Sequence, residues 1–189
     1  MKFDIKEVLI PTVSLFLICT IVTLLLAVTN SVTAPKILQL QIETANKTKA
    51  EVLSVATNFS EEKTVDLNGT TYTYYEGYDN SKNIAGYVFT TSAKGYGGDI
   101  VTMVGVKSDG TVAGIDFLSI SETAGLGMNA DSDDFKSQFV GKSGVIGVNK
   151  NTSTDTEIQA LTGATITSKA VTEAVNIALE LYEEVGKNG

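Results

Sequence analysis

The stretch DIVTMVGVKSDGTVAGIDFL, residues 99–118, decides how this chain is read. Two β-type runs, 99–106 and 111–118, flank Lys107-Ser108-Asp109-Gly110, a composition suited to a tight hairpin turn. Strands joined in this way lie antiparallel. Two more runs of the same kind precede them, TTYTYYEG at 70–77 and IAGYVFTT at 84–91. A loop follows at 119–127, then an acidic, helix-like piece around residues 131–139 and a short strand at 145–148. A terminal helix from about Ser168 to Val185 carries Val171, Ala174, Val175, Ala178, Leu179, Tyr182 and Val185 on one face, a pattern that faces a core. Strands with helices at their ends, and no regular βαβ alternation, predict an α+β domain on a mostly antiparallel sheet.

Composition narrows the chemistry. The 189 residues carry a formal charge of −8, and all 14 basic residues are lysine. That balance opposes nucleic acid binding, which needs clustered cations against phosphates. Without histidine, Ser/His/Asp and Cys/His catalysis and the commonest zinc sites are excluded. Cys19 is alone and can form neither an internal disulfide nor a four-thiolate iron–sulfur site. Redox chemistry in such a chain calls for an organic cofactor rather than a metal held by its own side chains.

From residue 8 to residue 35 there is no charge, and residues 8–28 are almost continuously apolar. At 1.5 Å per residue such a run spans roughly 31 Å, enough for the hydrocarbon core of a bilayer. It exceeds the usual length of a signal-peptide core, and Pro35 after the VTA at 32–34 should block cleavage there. We expect an uncleaved anchor. The lysines on its two sides do not decide its orientation. A helix at 35–58 is expected to follow it as a stalk, with Pro35 at the joint.

The segment QALTGATITSKAVTEAV, residues 159–175, places four hydroxyls, Thr162, Thr165, Thr167 and Ser168, around Gly163 and Ala164 at the start of the terminal helix. A helix N-terminus offers unpaired N–H groups and a positive dipole end to a phosphate. An ordinary N-cap explains one of those hydroxyls.

LTGATIT resembles the attachment motif of the FMN-binding domain family, Ser/Thr-Gly-Ala-Thr-x-Thr/Ser. The resemblance implies that FMN is joined through its phosphate to Thr167, with Thr162, Gly163, Ala164, Thr165 and Ser168 around it. The Asp usual three residues before the motif is Gln159 here. KGYGGDIVTMVGV at 94–106 resembles the family's Gly-rich entry to a central strand. SETAGLG at 121–127 resembles its Glu-Thr-Pro-Gly-Leu-Gly loop, with Ala124 in place of Pro. By that resemblance Glu122, Thr123, Gly125 and Leu126 line the isoalloxazine, with Leu126 as its apolar wall. Alone, the glycines would read as turn formers and Glu122 as a solvated carboxylate.

Nearly the whole chain, AVTNSVTAPKI at 27–37 included, is similar to the G subunits of Rnf electron-transport complexes, which move electrons between ferredoxin and NAD coupled to Na⁺ or H⁺ transport. The related NqrC proteins share the domain. The resemblance implies a cytoplasmic tail at 1–7, a membrane anchor at 8–34, a stalk at 35–58 and an extracytoplasmic FMN-binding domain at 59–189. It also implies other Rnf subunits and membrane lipid as partners, and a flavin transferase using FAD and Mg²⁺ for maturation. No catalytic residue and no metal ligand is expected, and the anchor has no ionisable side chain for an ion path. Two rivals stay open: a stand-alone membrane flavoprotein, and a colourless stalked binding or adhesion module, for which four Asn-x-Ser/Thr triplets (Asn46, Asn58, Asn68, Asn151) would be glycan sites.

Overall fold

The structure is a computed structural model that describes residues 5–187. The chain divides into two compact units, one ending at Glu43 and one beginning at Thr44.

The first unit is helical. Helix α1 runs Ile5–Val52 without a break at Pro11 or Pro35. A proline removes one N–H from the ladder, and the remaining bonds carry the helix past it. Val8, Leu15, Leu17, Ile21, Leu24 and Leu26 are all exposed, so no side of this stretch is covered. Thr12, Thr20 and Thr29 donate their hydroxyls to carbonyls four residues earlier, at 2.8, 2.8 and 2.9 Å. This is the one helix among the described residues long and apolar enough to cross a membrane. A helix apolar on every side and satisfied within itself suits lipid.

The second unit is α+β. The four expected strands appear as β3 (Thr70–Tyr78), β4 (Ile84–Lys94), β5 (Asp99–Lys107) and β6 (Val112–Ser119). They form an antiparallel meander in the order β3-β4-β5-β6, and β1 (Asn58–Phe59) and β2 (Lys63–Leu67) both pair with the outer side of β3. The β5–β6 turn has the expected chemistry: Gly110 sits at φ +84° and Asp109 accepts from Thr111 N–H and Oγ1. Tyr182, on α3 (Thr165–Lys187), donates its hydroxyl to Ser108 O at 2.6 Å and covers this turn.

Each face of the sheet has its own core. One face packs on α3, joining Phe89, Val104, Val106, Val112 and Ile115 to Val171, Ala174, Val175 and Ala178. Thr91 Oγ1 adds a 2.9 Å bond to Ala174 O across this layer. The other face takes the end of α1, with Val52, Leu53 and Ala56 against Val88 and Met103. The floor of that seat is nearly bare of side chains. Gly77 pairs with Gly86 and Gly105 with Gly114 across the strands. A Cβ on Gly105 would stand 2.1 Å from Val52 O, and one on Gly77 2.6 Å from Leu53 Cδ2. Glycine here admits backbone against backbone. It also explains why the helix stops at Val52 instead of near 58: Leu53 and Ala56 enter the seat, and Thr57 N–H already bonds Tyr78 O at 2.8 Å.

After β6 the chain forms a 3-10 turn (Gly127–Asp131), the short helix α2 (Asp133–Lys136) and a second 3-10 turn (Ser137–Phe139). Strands β7 (Gly147–Asn149) and β8 (Glu157–Gln159) pair in parallel just before α3.

Candidate functional site

Helix α3 begins at Thr165, three residues earlier than the sequence reading, so Thr167 lies in its first turn. The first N–H groups of a helix have no intrahelical acceptor. The turn before it is tight: Ala164 N–H bonds Leu161 O at 3.0 Å, and Gly163 takes φ +76°, which favours glycine. A Cβ at Gly163 would also press on Leu126 Cδ2 at 3.1 Å. Ser168 is fully buried and works as a clasp, accepting from Leu161 N–H at 2.9 Å and donating to Ala164 O at 3.0 Å.

In front of this turn lies a cavity of about 530 Å³, lined by Tyr96, Glu122, Thr123, Leu126, Gly127 and residues 163–167. That volume falls within the range of small-molecule and cofactor sites. Of the residues singled out from sequence, Thr167, Gly163, Ala164, Thr165, Glu122, Thr123 and Leu126 line it together. Thr162, Gly125 and Ser168 are not among the lining residues. Gly125 instead shapes the loop, at φ +75°, with its carbonyl accepting from Asn129 Nδ2 at 3.2 Å.

Three lining residues escape the sequence reading. Tyr96 (73% exposed) and Ile166 (55% exposed) stand beside Leu126 (44% exposed) as an unburied apolar rim. Both lie inside the quoted motifs, but a large apolar residue that the fold leaves uncovered has no periodic signature. Gly127 is the third. Its buried position lets the loop close on Glu122 and Thr167, where a Cβ would lie 2.6 Å from Glu122 Oε2 and 2.7 Å from Thr167 Oγ1.

Glu122 is the centre of this geometry. Thr167, 1% exposed, donates its hydroxyl to Glu122 Oε2 at 2.8 Å. The other carboxylate oxygen accepts from Gly97 N–H at 3.1 Å. A Cβ at Gly95 would collide with that oxygen at 2.2 Å. The Gly-rich segment after β4 therefore shapes the seat of one carboxylate, and Tyr96 is its contribution to the cavity wall. Gln159 lies away from the cavity. Its backbone N–H bonds Gln138 Oε1 at 2.7 Å and its side chain donates to Asn151 O at 3.1 Å, a role that a carboxylate could not fill.

The class comes from comparison: the FMN-binding domain family matches residues 95–180, the span that holds this apolar-rimmed cavity at the N-terminus of a core helix. The chain belongs to the family of G subunits of ion-translocating ferredoxin:NAD(+) oxidoreductase complexes. It is 37% identical over 178 residues to the G subunit of the proton-translocating complex of Clostridium ljungdahlii, covering 94% of this chain and 92% of that protein. It is 34% identical over 203 residues to the G subunit of the Na(+)-translocating complex of Acetobacterium woodii, covering 98% and 97%. Among solved structures, the C subunit of the Na(+)-translocating NADH-quinone reductase of Parabacteroides distasonis matches with a TM-score of 0.59 at 21% identity, over 75% of this chain and 92% of that one. Shewanella oneidensis NqrC matches with a TM-score of 0.52 at 20% identity, over 68% of this chain and 67% of that one. At those identities the likeness concerns the fold.

Proposed function

We propose that this chain is the membrane-anchored electron-transfer subunit of a ferredoxin:NAD oxidoreductase complex and carries FMN as a phosphoester on Thr167. The observation that carries the reading is the placement of the Thr167 hydroxyl, in the first turn of α3 at the wall of the cavity. Glu122 apart, the residues present fit the group. Backbone N–H groups at the start of α3 suit the phosphate, Gly163 and Ala164 let it come close, and Leu126, Ile166 and Tyr96 offer apolar and aromatic surface to a ring system. When bound, FMN supplies one- and two-electron chemistry. The chain's own residues hold, orient and shield. Thr167 is the tether, the start of α3 sets the position of the phosphate, and the rim residues keep water from one side of the ring.

Glu122 is the one carboxylate on the wall, and no lysine, cysteine or histidine joins it there, so no autonomous turnover is expected. Electrons enter and leave through neighbouring subunits, and ion movement belongs to them. The amino-terminus lies in the cytoplasm and the FMN domain on the outer side, and a flavin transferase supplied with FAD and Mg²⁺ installs the group.

The test is mass spectrometry of the peptide containing Thr167, from protein made with its transferase present. A gain of FMN less water, lost in Thr167→Ala, is the expected result. An unmodified peptide from competent cells would overturn the reading.

A further inference from the structure

The cavity holds a contradiction if Thr167 is to carry a phosphate. Its hydroxyl already donates to a carboxylate at 2.8 Å, and a carboxylate beside a phosphodiester repels it. Glu122 is not there by accident of a flexible side chain. Gly95 and Gly127 leave no room for a Cβ against its two oxygens, and Gly97 N–H fixes the second oxygen. None of the salt bridges among the described residues includes Glu122; the acids so paired are Glu51, Glu76, Asp116 and Asp131. The cavity wall otherwise carries no His, Lys, Asp or Cys to receive a proton.

We infer that Glu122 is the proton acceptor of the attachment reaction, a role this chain brings to its own modification. The inference rests on Thr167 being the attachment residue. Thr167 Oγ attacks the flavin-side phosphorus of a flavin-bearing pyrophosphate, FAD. The Oγ–P bond forms, the pyrophosphate P–O bond breaks, and AMP leaves with that electron pair. The proton from Oγ passes to Glu122 Oε2, and nothing is oxidised or reduced. Once Oγ is esterified, Glu122 Oε2 loses its donor, while Gly97 N–H still holds the other oxygen. General-base help of this kind contributes about 10²- to 10⁴-fold in rate.

The experiment uses the full chain in detergent, purified unmodified from cells lacking the transferase. It is then incubated with purified transferase, FAD and Mg²⁺, and attachment is followed by intact-protein mass. Wild type is compared with Thr167→Ala, Glu122→Gln and Glu122→Ala, each checked by its thermal midpoint. The expected result is modified wild type, unmodified Thr167→Ala, and Glu122→Gln slowed about 100-fold in kcat with little change in the KM for the chain. Formate, a small carboxylate that fits the space vacated in Glu122→Ala, should speed that variant and leave wild type unchanged. Glu122→Gln within about threefold of wild type would overturn the inference while leaving Thr167 as the tether. So would a slow Glu122→Ala that formate does not speed, because Glu122 would then act only by filling space. Unmodified wild type would remove the attachment reading itself, and this inference with it.

Discussion

Replacing Gly105 by alanine tests how the end of α1 is held. The new Cβ would stand 2.1 Å from Val52 O and 2.7 Å from Val52 C, where ordinary contact begins near 3.4 Å. Both partners are backbone, one in a central strand and one in a helix end, so no side-chain rotation relieves the overlap. One of them must move by about 1 Å or more. Overpacking of a tight site costs about 1–3 kcal/mol, and an unyielding contact belongs at the upper end. The ceiling is the loss of the seat altogether: Val52 and Leu53 are 3% and 0% exposed, and uncovering two such side chains costs roughly 3–6 kcal/mol. We expect about 3 kcal/mol, or a midpoint lowered by roughly 6–12 °C for a domain of this size. Urea unfolding of the full chain in micelles, followed by tyrosine signal, measures it. Gly98→Ala is the control, because nothing lies within 4 Å of its Cβ, and it should fall within about 0.5 kcal/mol of wild type. A Gly105→Ala protein equally close to wild type would mean that the helix end does not rest on β5.

Three other substitutions follow from single observations. Thr102 Oγ1 is buried without a hydrogen-bond partner among the described residues, so Thr102→Val should be neutral or stabilise by about 1 kcal/mol, read from the urea midpoint. Burial, and then the hydrogen bond to Glu62, pushes the Tyr75 hydroxyl from its ordinary 10 up to about 12. The folded chain keeps a proton that the unfolded chain loses near 10, so stability should fall as pH rises through the window from about 10 to about 12, and Tyr75→Phe should flatten that fall. Hydrogen bonds from Lys63 and then Tyr78 hold the Glu76 carboxyl below its ordinary range. Its contribution is present above the ordinary value of 4.5 and is lost as pH falls through the lowered one, so Lys63→Ala should reduce the acid sensitivity of the unfolding midpoint.

The four long strands were legible because each holds a run of β-type residues bounded by turn chemistry, and Asp109-Gly110 marked a hairpin that the structure contains. Strands β1, β2 and β8 were not. They are two, five and three residues long; β1 and β2 exist because the nine-residue β3 supplies their partners, and β8 pairs with the equally short β7. The end of α1 was misjudged for a related reason: residues 53–56 have helical spacing, but the glycine-floored seat outweighs the last turn. At the site, motif and order located Thr167, Gly163 and the 121–127 loop. They could not show that Glu122 meets Thr167, since the contact joins residues 45 apart through packing that no local pattern records.

That separation has a consequence for maturation. LTGATIT is present in every copy of the chain from the moment it is synthesised, but the carboxylate beside Thr167 is present only when β4, β5, the 121–127 loop and α3 have come together. With Glu122 as the proton acceptor, an unfolded or misassembled chain offers the transferase a hydroxyl without its base. On the proposed reading, attachment would favour chains whose fold has closed by about 100-fold, and colour would report mainly on native molecules rather than on all those synthesised.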